Sequence, residues 1–148
     1  MTTLNPIVRQ ISVFLDNRPG TLVEVSRYLA NKNINLRALS LAETRDFGTA
    51  RLIVADTDSC ARALEEGGYN FIETEVLAVE VPDRPGGMAD VLEIISHERI
   101  NVEYIYATVG RSEDSAVIIL RVDNPERACS ALISKGVRLL GETDLISL

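Results

Sequence analysis

The chain has 148 residues, of which 46% are hydrophobic and 25% charged, with a formal net charge of −7 and a pI near 4.7. That length holds one medium domain or two small ones, and so acidic a balance, with no run of Lys or Arg, excludes a general attraction for phosphate backbones. The longest apolar runs, such as residues 116–120, fall far short of the ~20 residues a membrane helix needs, and residues 1–6 lack the basic-then-apolar character of a secretion signal. The reading is a cytoplasmic protein with no membrane and no nucleic-acid partner.

Ile11, Val13 and Leu15 alternate with polar residues over 9–16 and predict a strand. Pro19-Gly20 breaks it. Leu22, Val25 and Leu29 then recur at helical spacing, the stripe of an amphipathic helix that Asn31-Lys32-Asn33 closes. A second strand is expected over 36–41, with a bulge, because its apolar residues change phase between Leu36 and Leu39. Arg45-Asp46-Phe47-Gly48 reads as a turn and 50–55 as a third strand. Asp58 is the expected N-cap of a helix carrying Cys60, Ala61 and Leu64, ended by Gly67-Gly68. Residues 69–75 complete a β-α-β-β-α-β unit.

The second half writes the same order. A strand is expected over 76–81, a helix striped by Met88, Val91 and Ile95, and a strand over 100–109. Residues 116–122 form an apolar run suited to burial on both faces. Asn124-Pro125-Glu126 opens a helix, with Pro at its first position and acid in its first turn. Short strands over 137–140 and 145–146 finish the chain.

The two halves are an internal repeat. Arg18-Pro19-Gly20 returns as Arg84-Pro85-Gly86, and Ile34-Asn35-Leu36 as Ile100-Asn101-Val102, each 66 positions on. Leu64 and Gly68 return as Leu132 and Gly136 at an offset of 68, the two extra residues falling in the loop over 110–114. The domains are therefore drawn as 1–73 and 74–148. The fold class is α+β: two tandem ferredoxin-like units, each an antiparallel sheet with both helices on one face. No Pro/Ser/Gly linker separates the halves, and units this small are marginal alone, so a homodimer is expected.

Each repeated turn joins a stiff Pro to a permissive Gly and opens onto a helix whose first N–H groups face back into the turn. That is a seat for a small anion such as a carboxylate. Nothing comparable supports catalysis. His97, the only histidine, falls near a helix C-terminus, with no second His and no Cys beside it from which a triad or a zinc site could be built. Cys60 and Cys129 sit among Ala and Leu in no metal-like spacing and read as buried thiols. Asp46-Phe47-Gly48 resembles a kinase signature only as a string. Arg51 and Arg121 interrupt apolar strands and are expected to snorkel or pair locally.

The repeated unit resembles the ACT domain, an amino-acid-sensing module of regulated metabolic enzymes. The resemblance rests on Asn17-Arg18-Pro19-Gly20-Thr21-Leu22 and Asp83-Arg84-Pro85-Gly86-Gly87-Met88, followed by Asn33-Ile34-Asn35-Leu36 and Arg99-Ile100-Asn101-Val102. It covers nearly the whole chain twice and leaves no room for a catalytic domain. It implies units joined in an eight-stranded sheet and a free amino acid bound where units meet, against Asn17, Gly20, Thr21 and Leu22 or Asp83, Gly86, Gly87 and Met88, with Asn35 and Asn101 as facing positions. Backbone N–H groups at residues 21–22 and 87–88 would take the ligand carboxylate, and Asn17 or Asp83 its ammonium. The same side chains have plainer uses. Asn17 and Asp83 can set the turn by bonding their own backbone, Asn35 and Asn101 can cap, and Tyr104 and Tyr106 can pack on the sheet or at a dimer interface as readily as wall a pocket. Apolar lining from Leu39, Leu41, Ile105 and Ala107 would favour a branched or aromatic ligand.

The function expected is non-catalytic: an amino-acid-binding regulatory protein that signals by changed packing or by contact with a metabolic enzyme or regulator, without cofactor or metal. The alternative is a ligand-free interaction module, or a regulatory subunit that docks on an enzyme.

Overall fold

The computed structural model describes residues 6–43, 45–110 and 112–146. Residues 1–5, read above for a secretion signal, and Arg111, in the loop that absorbs the two-residue insertion, lie outside the described residues. The elements run β1 (Ile7–Asp16), α1 (Thr21–Asn31), β2 (Leu36–Glu43), β3 (Phe47–Val54), α2 (Thr57–Glu66), β4 (Asn70–Pro82), α3 (Gly87–His97), β5 (Val102–Val109), β6 (Ser115–Val122), α4 (Pro125–Ser134), β7 (Arg138–Leu140) and α5 (Glu142–Ile146). Two compact units emerge: Arg9–Thr74, and the chain from Glu75 onward together with the segment up to Val8.

In Arg9–Thr74 the strand order is β2-β3-β1-β4, the antiparallel ferredoxin-like arrangement. Ile11, Val13, Leu15, Ala50 and Leu52 meet Val25 and Leu29 of α1 and Cys60 and Leu64 of α2 in one core. The expected bulge is present: the β2–β3 register shifts between Leu36 and Ala38. In the second unit the order is β7-β4-β6-β5, and its register shifts at the matching place, between Val102 and Tyr104. Its core gathers Leu77, Val79, Val81, Ile118 and Leu120 from the strands and Val91, Ile95 and Leu132 from the helices. Val117, Ile118, Ile119 and Leu120 are all buried, so β6 is covered on both faces as its unbroken apolar run implies.

The four long helices end alike. After each, one residue takes a left-handed conformation: Asn33 (φ 61°), Gly68 (φ 76°), Arg99 (φ 57°) and Gly136 (φ 78°). The following N–H of Ile34, Tyr69, Ile100 or Val137 then bonds back to the carbonyl of Leu29, Leu64, Ile95 or Leu132. This is the Schellman closure, with an apolar residue just beyond it.

Gly67 is needed for a different reason. A Cβ there would fall 2.8 Å from the ring of Tyr28, whose hydroxyl donates to the carbonyl of Ala63 and whose ring lies 5.4 Å from that of Tyr69.

Several expectations change. The N-cap of α2 is Asp56, not Asp58. Its backbone is extended, and its carboxylate accepts from the Ser59 N–H at 3.0 Å and the Ser59 hydroxyl at 2.7 Å, which holds its pKa below the ordinary value. Asp58 lies inside the helix and pairs with Arg9 at 2.9 Å. The strands expected over 69–75 and 76–81 are one strand, β4, because no turn residue stands between Glu75 and Val76; the described residues hold seven strands, where the resemblance implies an eight-stranded sheet. Residues 145–146 lie in a helix, α5, started when the Asp144 carboxylate accepts the Gly141 N–H at 2.9 Å. Met88 leaves the predicted stripe and is half exposed, while its counterpart Leu22 packs on the core. Arg121 pairs locally as expected, donating to the Glu75 carbonyl at 2.8 Å and lying 3.8 Å from Glu103.

Candidate functional site

The two turns share one set of bonds. In the first, the Asn17 N–H donates to the Asp46 carbonyl at 3.1 Å, and the Arg18 N–H to the Asp16 carbonyl at 3.0 Å. Gly20 turns at φ 90°, and its carbonyl accepts the Glu24 N–H at 2.9 Å to start α1. In the second, the Asp83 N–H donates to Asp114, Arg84 to Pro82, and Asp90 to Gly86, which turns at φ 89°; these bonds are 2.8, 2.9 and 2.9 Å long. The charged groups repeat as well: Arg18 lies 3.5 Å from Glu24, and Arg84 lies 3.3 Å from Asp90.

The turns differ at their first helical residue. The Thr21 hydroxyl lies 2.8 Å from the carbonyls of both Asp16 and Arg18 and shares its proton between them. At the matching position Gly87 has no side chain, and the Pro82 carbonyl occupies the space a Cβ would take. The N–H groups of Thr21 and Gly87 are bonded to the carbonyls of Arg18 and Arg84, at 3.4 and 3.1 Å. Those of Leu22 and Met88, next along, make no backbone hydrogen bond among the described residues.

A cavity of about 170 Å³ adjoins the first turn. Asn17, Gly20, Thr21 and Leu22, four of the residues singled out from sequence, line it together. Leu15 and Leu41 add apolar wall, and Asp16, Arg18 and Glu43 put charge of both signs at its edge. Glu43 carries no local signal in the sequence, and Gly48 signals only a turn. They reach the turn because β1 and β2 both pair with β3, setting Leu15 and Glu43 each opposite Gly48. The Asn17 side chain is itself tied to that hairpin, donating to the Arg45 carbonyl at 3.4 Å.

The second turn borders a larger open cleft of about 520 Å³, lined by Arg84, Gly87, Asp90, Ser112, Asp114 and Arg138 among others. Asp83, Gly86 and Met88 belong to the turn but are not part of that lining.

Asn35 and Asn101 are exposed and lie away from the turn of their own unit. Leu36 pairs with Val54, whereas the turn sits at the Gly48 end of the same sheet, a strand length of roughly 20 Å away. The Asn101 carbonyl accepts the Asp123 N–H at 3.2 Å, and the Asn101 N–H donates to the Asp123 carboxylate at 3.2 Å, at the corresponding end of the second unit. Tyr104 and Tyr106 are half-buried on β5.

Both cysteines are free and buried, and burial pushes each thiol up to about 11, so neither is a thiolate at neutral pH. Among the described residues, no group of three or more His, Cys, Asp or Glu side chains is arranged to hold a metal ion. Nor is any described helix long and apolar enough to cross a membrane.

Comparison with known proteins agrees with this architecture. The family described as an ACT domain pair matches residues 6–148. The crystal structure of protein BT0572 from Bacteroides thetaiotaomicron is 37% identical, with a TM-score of 0.90, over 96% of this chain and 97% of that one. The ligand-free regulatory subunit of aspartate kinase from Thermus thermophilus shares the fold at a TM-score of 0.62 and 18% identity, over 89% of this chain and 98% of that one. The corresponding subunit from Thermus flavus has a TM-score of 0.61, also at 18% identity, over 88% and 95% of the two chains. No curated protein matches. The chain belongs to the ACT domain family, as a tandem pair of its units.

Proposed function

We propose that this protein is a non-catalytic, cytoplasmic regulator that binds a free amino acid against its turn-to-helix loops. The observation that carries this reading is the duplicated turn of an ACT pair, built twice with the same backbone bonds. At the first turn it borders a small cavity edged by charges of both signs. A zwitterion needs such an edge: Arg18 or the N–H of Leu22 for its carboxylate, and Asn17, Asp16 or Glu43 for its ammonium. In the second unit Asp83 is the ammonium partner, with Gly86, Gly87 and Met88 around the carboxylate. Asn35 and Asn101 act, in this reading, as facing positions supplied by a second copy of the chain in a homodimer. Binding regulates only if the ligand prefers one packing state over another.

A thermal-shift series on the intact protein against the twenty amino acids at millimolar concentration tests the proposal. A ligand at about 100 times its dissociation constant adds roughly 2.7 kcal/mol of stability, enough to raise the midpoint by several degrees. One or two such shifts, lost in Asn17→Ala or Asp83→Ala, are expected. Twenty flat traces from a folded sample would overturn it.

One observation favours a second reading, a regulatory subunit that docks on a metabolic enzyme. Leu39, Leu41 and Phe47 are 45%, 48% and 52% exposed around the edge strand of the first unit. The Thermus thermophilus neighbour is itself a regulatory subunit of aspartate kinase. Co-purification of a stoichiometric enzyme partner, lost in Leu39→Glu, is the outcome that would support it.

A further inference from the structure

The cavity at the first turn has a floor made by two residues of opposite size. Gly48, the second residue of β3, contributes only backbone, and the end of the Leu41 side chain lies close to it. A Cβ built on Gly48 would stand 3.4 Å from Leu41 Cδ1 and 3.6 Å from the Ala42 carbonyl. Leu41 therefore lies within van der Waals reach of any side chain at 48, and both residues line the cavity. Leu15, Leu22 and Val23 complete the apolar part of the wall. The second unit distributes size otherwise. Leu41 pairs with Ala50 and its counterpart Ala107 with Ile118, while Gly48 and Ala116 lie opposite Leu15 and Val81. There the bulky residue over the floor is gone, and the floor carries a methyl.

We infer that the first-unit site selects an amino acid with a short aliphatic side chain, and that Leu41 and Gly48 together set the length it accepts. The inference rests on the amino-acid-binding reading above and adds the side-chain class. A space of about 170 Å³ is below the roughly 300 Å³ at which pockets for drug-sized ligands begin, and it must also take the ligand's carboxylate and ammonium. Leucine atoms at 15, 22 and 41 offer no hydrogen bond to a polar side chain, and a charged one would lose its hydration there. An aromatic ring would meet the Leu41 side chain above Gly48.

Binding of L-valine, L-leucine, L-isoleucine, L-phenylalanine, L-lysine and L-aspartate to the full chain, measured by calorimetry, tests this. The wild type is expected to bind one or more of the three aliphatic ligands at least tenfold more tightly than the other three. Leu41→Ala is expected to bring phenylalanine to within threefold of the best aliphatic ligand. Gly48→Ala, which adds a methyl group within van der Waals reach of Leu41, is expected to weaken leucine more than valine. Thermal unfolding without ligand identifies any variant that fails to fold, and Leu41→Met then serves as a gentler change of the same wall. Preference for lysine, aspartate or phenylalanine in the wild type, or selectivity unchanged in folded Leu41 variants, overturns the inference and leaves amino-acid binding standing. No binding of any of the six, with no response to the remaining amino acids, overturns both.

Discussion

The carbonyl of Pro82 occupies the space where a Cβ on residue 87 would lie, and Gly87 is the residue that permits it. At the corresponding place in the first unit, Thr21 turns its hydroxyl onto the carbonyl of Asp16 at 2.8 Å. One copy of the turn is closed by a side-chain hydrogen bond and the other by direct approach of backbone. Gly87→Ala is therefore expected to destabilise the protein by about 1–3 kcal/mol, because backbone rather than a flexible side chain must move aside. Thr21→Val keeps the bulk and loses the donor, at a cost of about 1 kcal/mol. Urea unfolding of the two variants checks both, and a Gly87→Ala protein as stable as the parent would contradict the close approach.

Arg99 takes a left-handed conformation at φ 57° in the closure of α3, where α2 and α4 use Gly68 and Gly136. A side chain in that region costs about 1 kcal/mol or more relative to glycine. Arg99→Gly is expected to raise stability by about 0.5–1 kcal/mol, seen as a higher urea midpoint with an unchanged slope. A lower midpoint would mean that the Arg99 side chain contributes more than its backbone costs.

Asn124 caps α4 by accepting the Arg127 N–H at 3.2 Å, with Pro125 in the first turn. Asn124→Ala leaves that donor without its partner and is expected to cost about 1 kcal/mol, whereas Asn124→Asp is expected to hold or gain stability. Thermal unfolding of the pair of variants distinguishes loss of the cap from a general effect of substitution at this site.

The buried thiols impose an alkaline limit. Cys60 and Cys129 are each raised from 9.0 to about 11, chiefly because burial disfavours the thiolate. Between those values the unfolded chain has released these protons and the folded one has kept them. Stability is thus complete below pH 9 and falls as pH rises toward 11, by on the order of 2 kcal/mol for each thiol. Cys60→Ala with Cys129→Ala should flatten that decline in a pH series of unfolding midpoints, even if it lowers stability at neutral pH. An undiminished slope in the double variant would assign the alkaline loss to other groups.

Periodicity made the stripe of Val25 and Leu29, its repeat in Val91 and Ile95, and the β2 bulge readable in advance, because a buried face imposes its spacing locally. Choices between neighbours were not readable. Asp56 and Asp58 are chemically equal as caps, and only the extended backbone of Asp56, set by the end of β3, decides between them. Glu73-Thr74-Glu75-Val76-Leu77 and Glu142-Thr143-Asp144-Leu145-Ile146 echo one another as strings. The first runs straight through β4, while the Asp144 carboxylate bonds back to Gly141 and winds the second into α5. Of the candidate site, the turn residues Asn17 to Leu22 were legible from their repetition. Glu43 and Gly48 were not, since strand register alone carries them to the turn.

Gly67 and Tyr28 couple two helices that are distant in sequence. The conformation of Gly67, at φ −80°, is open to any residue; only the Tyr28 ring excludes a side chain there. The last turn of α2 is thus shaped by α1, and its fraying should follow the docking of α1 rather than its own helix propensity. In an amide-exchange experiment, Tyr28→Ala would then speed exchange at Gly67 and Gly68 as much as within α1, making the end of one helix a reporter of whether the other has docked.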